Sequence, residues 1–166
     1  MKKLLFLLFA GILLSSVSLT AQNFESAVGA RLGIPLSVSY KLFINESDAV
    51  EAYAGISSRA FYNEARVAVA YQRHNSFDLD AELAPLQWYY GAGASVGFYN
   101  YALDYIGNSG GIGLGISGYL GVQYAFDDIP LEVTVDWVPT IGIGSNGGRG
   151  FAAGYAGAGI RYILRR

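Results

Sequence analysis

Residues 131–143 read Leu-Glu-Val-Thr-Val-Asp-Trp-Val-Pro-Thr-Ile-Gly-Ile. Every second one is apolar: Leu131, Val133, Val135, Trp137, Pro139, Ile141 and Ile143. Between them sit Glu132, Thr134, Asp136, Val138, Thr140 and Gly142. A period of two places alternate side chains on opposite faces of a strand, so this segment has an apolar face and a polar one. Most of the chain repeats the pattern.

Followed outward in both directions, the alternation predicts eight strands. They cover residues 26–33, 36–44, 49–58, 65–74, 86–99, 111–126, 131–143 and 152–164. Most reach the roughly 9–11 residues that a tilted strand needs to cross a bilayer. The connections alternate in character. After the second, fourth and sixth strands come Asn45-Glu46-Ser47-Asp48, an acidic stretch with Asp78, Asp80, Glu82 and Pro85, and Asp127-Asp128-Ile129-Pro130. After the third, fifth and seventh come residues 59–64, 100–110 and 144–151, rich in Gly, Asn and Tyr. Tight turns at one end and longer loops at the other are the habit of a membrane barrel, with periplasmic turns and extracellular loops.

The apolar face runs from Val28, Ala30 and Leu32 through Val67, Val69 and Tyr71 to Ile160, Tyr162 and Leu164, and carries no charge. The opposite face holds Arg31, Lys41, Glu51, Arg66, Glu132, Asp136 and Arg161, with Gln72, Gln87 and Gln123. Glycines sit among them, including Gly29, Gly55, Gly91, Gly121, Gly157 and Gly159. A soluble barrel would turn this polar face to water, where glycine weakens strands and packs nothing. Inside a narrow eight-stranded barrel, glycine makes room for long side chains reaching across from other strands. Tyr71, Trp88, Tyr90, Tyr124, Phe126 and Tyr162 cluster on the apolar face near the turn ends, as an interfacial girdle does. The expected arrangement is therefore apolar side to lipid and polar side inward.

Composition agrees. Hydrophobic residues make up 52% of the 166 residues and charged ones 14%, against about 25% in soluble domains. There are 22 Gly, 13 Tyr and 9 Phe but no long apolar block, the profile of a transmembrane β-barrel. The absence of cysteine excludes a disulfide scaffold and a thiol nucleophile. Residues 1–21 are set apart. Lys2 and Lys3 precede an apolar run, Leu4 to Leu14, too short to span as a helix, and Ser15 to Ala21 is small and polar. This is the pattern of a secretory signal peptide, with cleavage expected after Ala21 and a single domain over residues 22–166. Losing Lys2 and Lys3 leaves 9 basic against 13 acidic residues, a net charge of about −4, and no basic block that would suit nucleic acid.

Inward-facing charges need partners. Four bases (Arg31, Lys41, Arg66, Arg161) face three acids (Glu51, Glu132, Asp136). Buried charge is costly unless paired and hydrogen-bonded, so a nearly balanced set fits a packed polar plug better than an open pore.

The chain resembles the small eight-stranded outer-membrane β-barrel proteins of Gram-negative bacteria, the OmpX-like and OmpA-transmembrane-domain-like group. The similar stretches are residues 27–33 (Ala-Val-Gly-Ala-Arg-Leu-Gly), 88–93 (Trp-Tyr-Tyr-Gly-Ala-Gly), 128–131 (Asp-Ile-Pro-Leu), 135–139 (Val-Asp-Trp-Val-Pro) and 159–162 (Gly-Ile-Arg-Tyr). The resemblance covers residues 22–166. It implies an all-β, eight-stranded antiparallel up-and-down transmembrane barrel in the bacterial outer membrane. It also implies contact with outer-membrane lipid and lipopolysaccharide, and insertion by the barrel-assembly machinery. Members of the group usually end on an aromatic residue; here Tyr162 keeps the alternation and Arg165 and Arg166 close the chain.

Little in the sequence suggests chemistry. His74 is the sole histidine; with Asn75 and Ser76 it faintly resembles the His and Ser of outer-membrane lipid A deacylases, but it falls at the turn end, in the wrong leaflet, and is expected to be a satisfied end-of-strand residue. Asp127-Asp128 suits a turn before Pro130, and no helix follows Gly113-x-Gly115 to make a phosphate loop. Loop residues Arg59, Phe61, Tyr62, Tyr101, Tyr105, Arg149 and Phe151 fit girdle positions and lipopolysaccharide phosphate contacts. The expected function is structural or interaction-based at the cell surface, without catalysis, cofactor or metal. A narrow passive channel is the alternative, and a lipid-modifying enzyme a third.

Overall fold

The computed structural model describes residues 24–58, 62–77, 85–101, 111–144, 150–152 and 155–166. The expected signal peptide, the acidic residues Asp78, Asp80 and Glu82, and the loop residues Arg59, Phe61, Tyr105 and Arg149 lie outside the described residues. Ten strands form: β1 (Ser26–Gly33), β2 (Leu36–Phe43), β3 (Asp48–Ser58), β4 (Tyr62–Ser76), β5 (Leu86–Tyr101), β6 (Gly111–Ala125), β7 (Leu131–Trp137), β8 (Thr140–Gly144), β9 (Gly150–Ala152) and β10 (Ala156–Arg165).

These ten strands make eight staves. β1 to β6 are six staves in up-and-down order, each antiparallel to the next. β7 and β8 together are the seventh. Both pair with β6 in one register, Leu120 opposite Trp137 and Ser117 opposite Thr140. Proline breaks the stave: Pro139 accepts a hydrogen bond from the Gly118 amide at 2.9 Å but has no N–H to return one. β9 and β10 are the eighth stave. Ala152 lies opposite Thr140 and Ala156 opposite Trp137, so this stave carries one residue more than its partner between those pairs, as at a bulge. β10 then pairs with β1 and closes an eight-stranded antiparallel barrel.

The turn between β2 and β3 is built on Asn45. Its side-chain oxygen accepts from the backbone amides of Ser47 (2.9 Å) and Asp48 (2.8 Å), and its amide donates to the Asp48 carboxylate at 2.7 Å. Asparagine suits this role because its short side chain mimics a backbone turn.

Period-two alternation holds around the wall, and the burial is inverted relative to a water-soluble globule. Aliphatic side chains point out: Val38, Ile56 and Val135 are 67%, 70% and 60% exposed. Charged ones point in: Lys41, Glu51, Glu132 and Arg161 are fully buried. One boundary differs from the expected one in a way that matters. β4 begins at Tyr62 rather than Ala65, so Glu64 belongs to the wall and faces the interior instead of lying in a loop. The reason is cross-strand pairing: Ser57 and Ser58 stand opposite Glu64 and Asn63, and the ladder to β5 continues to Tyr101.

Candidate functional site: the barrel interior

The turn end of the interior is closed by apolar side chains. Phe24, Ala27, Phe43, Ala49, Ala125 and Ile163 form one buried cluster. An aromatic column rises from it. Phe24 meets Phe43 edge-on at 5.0 Å, Phe43 meets His74 at 4.8 Å, and His74 stacks on Tyr89 at 4.8 Å. His74 is buried, and neither ring nitrogen has a hydrogen-bond partner among the described residues. It is thus a part of the plug with unmet hydrogen bonds, not the satisfied end-of-strand residue expected from the sequence. Its strand continues to Ser76, which draws His74 inside the wall.

Above the plug lies the charged layer. Arg161 on β10 is its hub: Nε donates to Ser39 Oγ (2.7 Å), Nη1 to Glu132 Oε1 (2.6 Å), and Nη2 to Glu51 Oε1. Glu51 also accepts from Arg31 Nη1 (3.2 Å) and Gln72 Nε2 (2.8 Å). Lys41 Nζ donates to Gln123 Oε1 (2.8 Å), stands 3.8 Å from Glu132 Oε2, and lies 5.1 Å from the centre of the Tyr89 ring. Arg31 reaches Asp136 at 2.8 Å, and the Tyr89 hydroxyl donates to the same carboxylate at 2.7 Å. Six of the seven charged side chains proposed for this face, Arg31, Lys41, Glu51, Glu132, Asp136 and Arg161, therefore form one connected network.

Arg66 is separate. It pairs at 2.6 Å with Glu64, two residues away on the same face of β4, and lies over the Tyr155 ring at 5.3 Å. With Glu64 counted, four buried bases meet four buried acids among the described residues. This balance matters physically, because a buried ion left without its partner costs several kcal/mol. Between the two charged groups, the hydroxyls of Tyr53 and Tyr119 meet at 2.8 Å, and the Arg31 guanidinium lies 5.1 Å from the centre of the Tyr53 ring.

Glycines supply the space. A Cβ on Gly157 would stand 3.0 Å from Asp136 Oδ1 and 3.1 Å from Arg31 Nη2, and one on Gly159 would crowd Thr134 Oγ1 and Arg161 Nη1. On the loop side a cavity of about 30 Å³ remains, lined by Arg31, Ser37, Tyr53, Arg66, Thr140 and Tyr155 among others. It has room for about one water molecule. No three His, Cys, Asp or Glu side chains among the described residues are grouped to hold a metal ion.

The six girdle aromatics all lie on the outer face towards the turn end. Tyr71, Tyr90 and Tyr162 are about half exposed (45%, 47% and 54%), and Trp88, Tyr124 and Phe126 are half-buried. Trp88 packs against Tyr90 at 5.7 Å and Tyr124 against Phe126 at 4.9 Å. Tyr62, Tyr101 and Phe151 contribute backbone to β4, β5 and β9.

Four interior residues escape the search for charges: Glu64, Tyr53, Tyr89 and Tyr119. Their signal is parity. Tyr53 alternates with Glu51 and Gly55, Tyr89 with Gln87 and Gly91, and Tyr119 with Gly121 and Gln123. Tyr89 is hidden by Trp88 and Tyr90 on either side, which face outward.

Comparison of the chain with protein-family models, with curated proteins and with solved structures finds no match.

Proposed function

We propose that this protein is an integral outer-membrane β-barrel with a side-chain-plugged interior, serving a structural or surface-interaction role without catalysis. One observation carries the proposal: the closed barrel turns an apolar wall outward, on which Asp48 and Arg73 stand as a pair at the turn end, while ion-paired charges are buried inside. In water such a wall would leave far more contiguous apolar surface exposed than monomeric soluble proteins tolerate. Dimensions support the same conclusion. Outward residues of β5 run from Trp88 to Phe98, about 33 Å of strand at roughly 3.3 Å per residue. At a tilt of 35–45° this spans about 25 Å, the height of an outer-membrane apolar band. The aromatic girdle would then sit at the periplasmic interface, the loops would face outward, and lipid and lipopolysaccharide would cover the wall.

The plugged interior favours a structural role over a channel. Aromatic side chains seal the turn end, and the charged layer above is connected by direct hydrogen bonds. The test is electrophoresis of detergent-extracted protein with and without boiling. A folded barrel migrates differently from its boiled form. Equal mobility, together with full solubility without detergent, would overturn the proposal.

A further inference from the structure

We propose that the outer wall carries a lipid site at its loop end, across β3, β4 and β5, selective for an acyl chain joined through an uncharged amide. The proposal rests on the reading of the wall as lipid-facing and adds which lipid chemistry this edge takes. Two rows of exposed side chains make the site. Ile56, Ala65 and Phe98 stand opposite one another on the three strands, and Ser58, Asn63 and Asn100 form the next outward row towards the loops. A depression of about 440 Å³ lies over both rows.

The lower row forms a trough. Ile56 and Phe98 are two strands apart, about 10 Å, and Ala65 between them has only a methyl group. About one strand spacing, roughly 5 Å, is therefore left open between two large apolar side chains, enough for a single hydrocarbon chain. These flanking side chains are 70% and 49% exposed. The trough continues the wall at its margin, because the outward apolar run of β5 ends at Phe98 and Asn100 follows.

The upper row offers hydrogen bonds without charge. Ser58 Oγ donates to Asn63 Oδ1 at 2.6 Å, which leaves the Asn63 amide N–H groups unmatched among the described residues. The Asn100 side chain has no partner among them either. Such groups are costly at the margin of a hydrocarbon layer unless they are hydrogen-bonded. Charge narrows the choice of partner. Among the described residues no base stands in this row; Arg66, on the same strand, points inward and pairs with Glu64, which also accepts from Ser57. A phosphate finds no counter-charge here. A secondary amide offers its carbonyl to the Asn63 N–H groups and its N–H to Asn100 Oδ1, whereas an ester can only accept. The rows are about 7 Å apart along the strands, so a linkage held by the asparagines leads its acyl chain into the trough.

The experiment uses the full chain in phosphatidylcholine vesicles with a trace of photoactivatable lipid. Three probes share one diazirine-bearing acyl chain: an N-acylglucosamine, a phosphatidylcholine and a phosphatidic acid. Peptide mapping locates the label. The amide probe is expected to label the peptides holding Ile56, Ala65 and Phe98 about tenfold above the rest of the wall, as two net hydrogen bonds allow, and the other two probes to label the wall evenly. Asn63→Ala and Asn100→Ala should each lower that excess about threefold, and Ala65→Leu, which fills the trough, should abolish it. All three positions are exposed, and a shift in mobility on boiling identifies the variants that fold. An equal excess for phosphatidylcholine, a preference for phosphatidic acid, or an excess that survives the substitutions would overturn the site while leaving the lipid-facing wall intact. Label on the wall from none of the probes would overturn the wall itself.

Discussion

One guanidinium nitrogen of Arg31 donates to both carboxylate oxygens of Asp136, at 2.8 and 2.9 Å. The two residues belong to β1 and β7, which do not pair; β10 runs between them. Gly157, directly opposite Asp136 on β10, has no side chain to block the approach. A buried ion pair thus links the first stave to the seventh across the one that closes the barrel.

Asp136→Ala should be among the most damaging single substitutions. It removes one of the two carboxylates that Arg31 meets, so that Glu51 alone serves both Arg31 and Arg161, and it leaves the Tyr89 hydroxyl without its acceptor. Breaking one side of a buried pair costs about 3–5 kcal/mol. Urea unfolding in detergent measures it, and a loss under about 1 kcal/mol, the value of an exposed pair, would contradict the burial argument.

Gly157→Val tests the space that the pair occupies. Even an alanine Cβ there would stand 3.0 Å from Asp136 and 3.1 Å from Arg31, so valine should cost about 1–3 kcal/mol through overpacking. Gly150→Ala is the control, because nothing lies within 4 Å of a Cβ at that position. Unfolding midpoints of the two variants should separate clearly.

Val69→Arg probes the outer wall. Val69 is 51% exposed in the middle of β4, with Ala94 beside it on β5. In water an arginine here would be nearly neutral. Facing hydrocarbon at mid-depth, it should destabilise the barrel by about 2–4 kcal/mol in lipid vesicles. A loss within about 0.5 kcal/mol, the range of an ordinary water-exposed substitution, would contradict a lipid-facing wall.

A plugged interior also predicts silence in planar bilayers. Arg66 borders the loop-side cavity of about 30 Å³, above the Arg161 hub and the turn-end cluster. Arg66→Ala should widen that cavity without creating a through path, so neither wild type nor variant should conduct. Steady conductance that Arg66→Ala increases would favour a narrow channel instead.

Much of this was legible in the alternation alone. Leu131, Val133, Val135 and Trp137 point out and Glu132, Thr134 and Asp136 point in, as a period of two requires. Parity says which face a residue occupies but not whom it meets. Nothing in the spacing reveals that Arg66 pairs with Glu64 beside it, while Glu132 and Asp136 take Arg161 and Arg31. Those choices depend on barrel stagger, which sets the height of each residue. Pro139 was visible as an apolar position, yet its missing amide interrupts the seventh stave. His74 was visible as the sole histidine; that its nitrogens find no hydrogen-bond partner among the described residues follows only from the packing of Phe43 and Tyr89 around it.

The most direct measurement uses the two tryptophans of the chain, Trp88 and Trp137, both on the outer face. Their fluorescence is recorded in vesicles of phospholipid brominated along the acyl chains, and separately with acrylamide in the aqueous phase. A lipid-facing wall predicts strong quenching by the brominated chains and little by acrylamide. Quenching by acrylamide with no effect of bromine would place that wall in water and contradict the membrane barrel.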